Sequence, residues 1–255
     1  MQSMEISVVI PTYNRYEFTV RAIESVLGQT KLPDEILVVD NCSDDGSIEK
    51  LMERYKSNAL VRIFKSEKNN GPVKNWIKGV EMAQGEYISI LFSDDEYYPT
   101  FVEEMSAPLK DPRVGISTCA ARKGPNSQSP RLVVYQDIIR PSLVSARLYL
   151  TLQTSLHGKG FLPLSLSAIM MRRRDFVKNL RSDFPGSNWT SFSENGAGPD
   201  LLAPMLTMKS YPWAYVTPHP LVHFREHNSS ISVINEGNKV TGGYAAALEW
   251  FRSTD

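Results

Sequence analysis

Cysteine is scarce: Cys42 and Cys119 are too few and too far apart for a disulfide framework or a CxxC zinc pair, and a reducing compartment suits them. No apolar run approaches the roughly 20 residues that cross a bilayer. The opening Met1-Gln2-Ser3-Met4-Glu5 lacks the basic and long apolar stretches of a secretory signal. These absences lead us to expect a cytoplasmic protein, with peripheral contact at the inner face of a membrane left open. Neither sign of charge is in excess, with 28 basic against 28 acidic side chains, so no global field draws the chain to nucleic acid. The segment after the first apolar run, Pro11 to Arg15, contains no glycine, which excludes a GxGxxG dinucleotide site and argues against the triphosphate loop of a nucleotidyltransferase. His219, His223 and His227 have the spacing of a helical metal site, but Pro218 and Pro220 forbid a regular helix there, and His157 has no evident partner.

What is present is an ordinary globular composition, 42% hydrophobic and 22% charged, in 255 residues. Short β-branched runs at Ile6 to Ile10, Glu35 to Asp40, Val61 to Phe64 and Tyr87 to Phe92 alternate with helical patterns. Those patterns cover Arg15 to Gly28, Ile48 to Tyr55, and Val73 to Ala83 with Gly85 closing the last. Successive βα repeats imply an α/β fold with a doubly wound, mostly parallel sheet. Beyond Pro99 the pattern is mixed. Strands are expected at Val114 to Cys119, Leu132 to Tyr135, Ser167 to Met171 and Ala214 to Thr217, and helices at Phe101 to Leu109, Ser145 to Leu156 and Asp200 to Lys209. Arg181 to Gly198, rich in Ser, Asn and Gly and carrying Trp189, reads as a functional surface loop. The tail, with Tyr244, Leu248, Trp250 and Phe251, reads as a helix whose apolar side packs on the core or touches lipid or a partner.

Ligands of open α/β sheets bind beyond the carboxyl ends of the strands, and three such ends are polar: Pro11-Thr12-Tyr13-Asn14-Arg15, Asp40-Asn41 and Ser93-Asp94-Asp95-Glu96. Asp40 suits a base N–H or a ribose hydroxyl, Tyr13 the face of a ring, and Arg15 a phosphate. Adjacent Asp94 and Asp95 repel each other unless a divalent cation lies between them and a diphosphate, a hard-oxygen site for Mg²⁺ or Mn²⁺. Each also has a plainer reading, Asp40-Asn41 as a strand end entering a turn and Asp94-Asp95 as a helix cap.

The run Ile6 to Arg15 resembles the opening of inverting family-2 glycosyltransferases of GT-A fold. Ser25 to Thr30, Glu35 to Asn41 with Ser43 to Ser47, and Gly71 to Trp76 follow in the order of that family, Lys74 standing where arginine is usual. Gly85-Glu86-Tyr87-Ile88 leads into Ser93-Asp94-Asp95 at the family's metal-binding DxD region, with Phe92 where an aspartate is common. The resemblance makes Asp95 the direct metal ligand and places Asp94 on the ribose or a metal-bound water, with Asp94 and Glu96 as an alternative pair. It puts Pro11, Thr12, Tyr13, Arg15, Asp40, Lys74, Asp94 and Arg225 around the donor.

Gly198-Pro199-Asp200 resembles the family's Glu-Asp motif, with Pro199 in the glutamate position, and makes Asp200 the catalytic base, although an aspartate there also reads as a helix cap. Val222 to Ser232 resembles the segment that folds over the donor diphosphate, which offers His227 to the metal and Arg225 to a phosphate. The family implies a nucleoside-diphosphate sugar, with UDP favoured and dTDP and GDP open, and a saccharide or lipid-linked saccharide acceptor. Residues 1–110 are expected to form the nucleotide-sugar half and 111–255 the acceptor half of one domain. A non-catalytic nucleotide-sugar-binding protein is the alternative, prompted by Phe92 and Pro199.

Overall fold

The computed structural model describes residues 5–134, 139–155, 164–184, 196–228, 230 and 239–254. Strand β1 (Ile6–Thr12) is followed by α1 (Tyr16–Leu27), β2 (Glu35–Asp40), α2 (Ser47–Tyr55), β3 (Val61–Lys65), α3 (Pro72–Met82) and β4 (Tyr87–Ile90). These four strands lie side by side in the order β3-β2-β1-β4, all parallel. That is the doubly wound half the βα repeats predict. Every residue of β1 and β2 is buried, as strands covered by helices on both faces require. Along β1, Val9 joins the core under α3, and Val8 and Ile10 join the core under α1 on the opposite face.

The remaining strands extend the same sheet. They are β5 (Glu96–Tyr97), β6 (Val114–Gly124), β7 (Leu132–Val134), β8 (Ser142–Ser145), β9 (Ile169–Arg172) and β10 (Trp213–Arg225). The path from β4 runs β9-β6-β10-β5, with β7 on β6 and β8 on β10, and β9 is antiparallel to both β4 and β6. One sheet therefore passes through both halves of the chain. The helices of this region are α4 (Phe101–Ser106), α5 (Ala146–Ser155), α6 (Arg173–Asn179), α7 (Pro199–Met208) and α8 (Lys239–Ser253).

Several elements differ from the sequence expectation. β10 does not stop at Thr217 but continues to Arg225, because the register against β6 shifts on either side of Pro220. A bulge of this kind accommodates prolines that a regular ladder rejects. β6 likewise runs on to Gly124, the Phe101 to Leu109 helix changes to a 3₁₀ turn at Ala107, and a 3₁₀ turn, Leu166–Ala168, precedes β9. Tyr135, His157 and most of the Arg181 to Gly198 loop, including Trp189, lie outside the described residues. No helix among the described residues is long and apolar enough to cross a membrane.

At the base of the parallel half, buried Glu35 accepts hydrogen bonds from Ser7 Oγ (2.7 Å) and the Gln84 backbone N–H, and it pairs with Arg62. One carboxylate thus ties β1, β2, β3 and the turn before β4. The Arg62 side chain is 41% exposed and returns to water if its partner is lost, but the Gln84 N–H does not. Glu35→Ala is therefore expected to cost about 2 kcal/mol of stability, read as a lower guanidinium midpoint with an unchanged m value.

Candidate active site

The loops that follow β1, β2 and β3 are laced together by side-chain hydrogen bonds. After β1 the chain turns through Asn14, a non-glycine residue at φ 51°. Its backbone N–H donates to Ser43 Oγ (2.8 Å), and its side-chain amide exchanges bonds with Asp44 in the loop after β2 (2.8 and 3.0 Å). Local side-chain bonds of this type offset the cost of a left-handed backbone. Fully buried Asp40 accepts from the Ser43 N–H (2.9 Å) and from the Ser43 hydroxyl, so it closes the turn while retaining acceptor capacity. Asn41 joins the third loop, accepting from the Asn70 N–H (3.0 Å) and donating to Asn69 (2.8 Å).

Pro11 and Thr12 are buried in β1, where the Thr12 hydroxyl bonds that of Thr19 (2.6 Å). Tyr13 is 40% exposed, and Lys74 stands exposed on the first turn of α3.

The turn after β4 brings four segments to one place. Asp94 forms an ion pair with Arg15 (3.1 Å) and a hydrogen bond with His227 Nε2 (3.0 Å). The His227 ring stacks on Phe18 at 4.7 Å between centroids, and the Arg225 guanidinium lies 5.8 Å above the same phenyl ring. Asp95, only 7% exposed, accepts from the Arg225 backbone N–H at 3.3 Å. Burial would raise the Asp94 carboxyl, but the His227 hydrogen bond and the Arg15 charge outweigh it and hold Asp94 below the usual carboxylate range. Burial and then the charge of Asp94 push Asp95 well above that range, against a hydrogen bond from Ser167. The two neighbouring carboxyls are thus driven in opposite directions, Asp94 down and Asp95 up.

Glu96 is engaged by the Arg225 guanidinium and by Ser127 Oγ (2.9 Å). Arg225 also donates to the Pro125 carbonyl. The three spaced histidines are not on a helix: His219 and His223 lie in β10, and His227 follows it.

A second carboxylate center lies at the start of α7. Gly198, at φ 121°, precedes Pro199, and the Asp200 Oδ1 accepts from the N–H groups of Gly198 and Leu201, both 2.9 Å away. Asp200 sits in the first turn of α7, whose N-cap is Gly198. The other oxygen, Oδ2, accepts from the Tyr244 hydroxyl on α8 at 2.7 Å. Asp200 is 5% exposed, and burial pushes its carboxyl up to about 7 despite those hydrogen bonds. A base with a pKa near 7 suits proton abstraction at neutral pH. The two centers share a wall: Phe92 packs on Trp76 at 4.9 Å, and a Cβ on Gly196, just before the Asp200 turn, would collide with the Trp76 ring.

Phe18, Ser167 and Tyr244 join these centers without having been singled out for them in the sequence. Phe18 and Tyr244 gave a signal only as parts of apolar helix faces; a serine 72 positions from its aspartate gave none for this role.

The family model described as glycosyl transferase family 2 matches residues 7–179. An uncharacterised glycosyltransferase of Rickettsia felis is 40% identical over 103 residues, covering 40% of this chain and 17% of that protein. The putative teichuronic acid biosynthesis glycosyltransferase TuaG of Bacillus subtilis is 34% identical over 92 residues, 36% of each chain. The matches thus span about a third or less of these relatives' own length. The crystal structure of S. aureus TarS 1–349 in complex with UDP-GlcNAc superposes with a TM-score of 0.66 at 20% identity, over 90% of this chain and 61% of that one. That likeness concerns the GT-A fold.

Proposed function

The chain belongs to glycosyl transferase family 2, and from that premise we propose that it moves a sugar from a nucleoside diphosphate to an acceptor hydroxyl with inversion. A UDP-sugar is the favoured donor, in keeping with the UDP-GlcNAc held by TarS, and a saccharide or lipid-linked saccharide is the acceptor. Residues 1–110 form the nucleotide-sugar half and 111–255 the acceptor half, with Arg225 and His227 of the second half reaching back to the donor. The observation that carries this reading is the meeting of Arg15, Asp94, Asp95 and His227 at one strand end, across a shared wall from a buried carboxylate with a pKa near 7.

A divalent cation, Mn²⁺ or Mg²⁺, fits this donor set. Asp95 is a buried carboxyl beside an ionised neighbour, and its own ionisation calls for a compensating cation. Among the described residues no group of three or more His, Cys, Asp or Glu is arranged to hold a metal alone. One or two protein ligands completed by substrate phosphates is the usual manner for Mg²⁺. Asp95, with His227, would hold the ion, which when bound offsets negative charge on the departing diphosphate.

The rest of the work falls to side chains. Asp40 and Tyr13 face the nucleoside, Asp94 the ribose, and Arg15, Lys74 and Arg225 supply positive charge for the phosphates, with Pro11 and Thr12 shaping the strand end beneath. Asp200 takes the proton of the acceptor hydroxyl as its oxygen bonds to the anomeric carbon opposite the breaking bond to the nucleoside diphosphate, which inverts that center.

Mass-spectrometric assay of UDP-, dTDP- and GDP-sugars identifies the donor by nucleotide release. Absence of turnover across that panel, with binding retained, would favour the non-catalytic nucleotide-sugar-binding alternative. By titration calorimetry UDP is expected to bind at least about tenfold more tightly with Mn²⁺ than without, and equal affinities would remove the metal from the proposal.

A further inference from the structure

The base is held from outside its own helix. α7 packs against α6, α5 and α8, and of these α8 reaches the Asp200 carboxylate. The sequence of α8 explains how it comes so near. Tyr244, Ala247, Leu248 and Phe251 recur at helical spacing, and the last three are buried in the core shared with α7. Gly243 faces the turn before α7: a Cβ there would stand 2.5 Å from the Ala197 carbonyl oxygen and 3.1 Å from the Ala197 Cβ. Only a residue without a side chain lets α8 close on that backbone, and the next residue then delivers its hydroxyl to Asp200 Oδ2. Packing alone would be served by phenylalanine, since a phenol that leaves water needs a partner and gains no apolar contact from its oxygen.

Resting on the reading of Asp200 as base, we infer that Tyr244 is its positioning residue: the phenol, set in place by the Gly243 contact, orients the carboxylate that receives the acceptor proton. Docking of α8 and competence of the base are then one event. Other ionisable groups on the neighbouring elements are occupied or face water. On α6, Asp175 and Arg174 bond Tyr211, Arg173 bonds the Glu81 carbonyl, and Lys178 is exposed. On α5, the Tyr149 hydroxyl accepts from Gln153 and Arg147 is exposed; on α8, Glu249 is exposed.

The Tyr244 hydroxyl donates to the ionised carboxylate, so its removal disfavours ionisation. In Tyr244→Phe the Asp200 carboxyl, labelled with ¹³C-aspartate and identified by its loss in Asp200→Asn, is expected to titrate about one pH unit higher than in the parent. The acidic limb of donor turnover should move by the same amount, with the parent rate approached at pH 9. A loss of packing would instead depress the rate at every pH. Gly243→Ala, which displaces α8 and keeps the phenol, is expected to shift the same titration upward. An unmoved Asp200 titration in Tyr244→Phe overturns the inference. Undiminished turnover in Asp200→Asn would instead strike the base assignment, while the carboxyl titration still reported whether tyrosine and aspartate are coupled.

Discussion

Asp200→Asn is expected to leave UDP and Mn²⁺ affinity within twofold of the parent while glycosyl transfer falls about 10³-fold, inside the range that general bases contribute. Asparagine has the shape of the residue it replaces. Its carbonyl oxygen can keep the two bonds from the Gly198 and Leu201 N–H groups, and its amide can donate to Tyr244, whose hydroxyl then accepts. What the amide cannot do is take a proton. The parent rate should rise with pH and level off above about 7, because the ionised carboxylate is the active form and its pKa lies there. Nucleotide release and calorimetry on the same preparation separate the two effects. Transfer within tenfold of the parent would place the base at another residue.

Asp95→Ala should cut UDP affinity in the presence of Mn²⁺ by at least about tenfold, down toward the metal-free level, and leave the weak metal-free affinity unchanged, a loss in the range that perturbing metal sites produces. The fold should tolerate the change, since Asp95 is a carboxyl raised by burial and by a like-charged neighbour rather than one held in an ion pair. Asp94 would keep its contacts with Arg15 and His227. Calorimetric titration with and without metal reads the outcome, and parental Mn²⁺ dependence in the variant would exclude Asp95 as a ligand.

Much of this was legible in the chain because the parallel half is written in local signals. β1, β2 and β4 are short β-branched runs, each set off by a helix whose apolar face repeats at the proper period, so strand, helix and polar strand end could be read one after another. The other half depends on distant partners. β5 is two residues long and exists because Glu96 and Tyr97 pair with His223 and Val222. No window of sequence contains both. The prolines of β10 read locally as a stop, whereas a bulge against β6 carries the strand on and delivers Arg225 to Asp95 and Glu96.

The same limit applies to roles within the site. Asp94 and Asp95 are neighbours with one residue type, yet opposite surroundings drive their carboxyls in opposite directions. Arg15 pairs with Asp94, and Arg225 pairs with Glu96. Which acid a given arginine meets is decided by the register of the strands, not by its own neighbours in sequence.

The buried carboxylate at the head of α7 also bears on how the enzyme withstands heat. An aspartate titrates near 4 in the unfolded chain, whereas Asp200 does so at about 7 when folded. Between those values the unfolded form has released a proton that the folded form retains, so each rise in pH through that window favours unfolding, and the deficit persists in full above it. Asp200→Asn removes the ionisation and with it the deficit. The variant is thus expected to melt above its parent at pH 8 and level with it near pH 4, so the group proposed as base is one the fold would hold more securely as an amide.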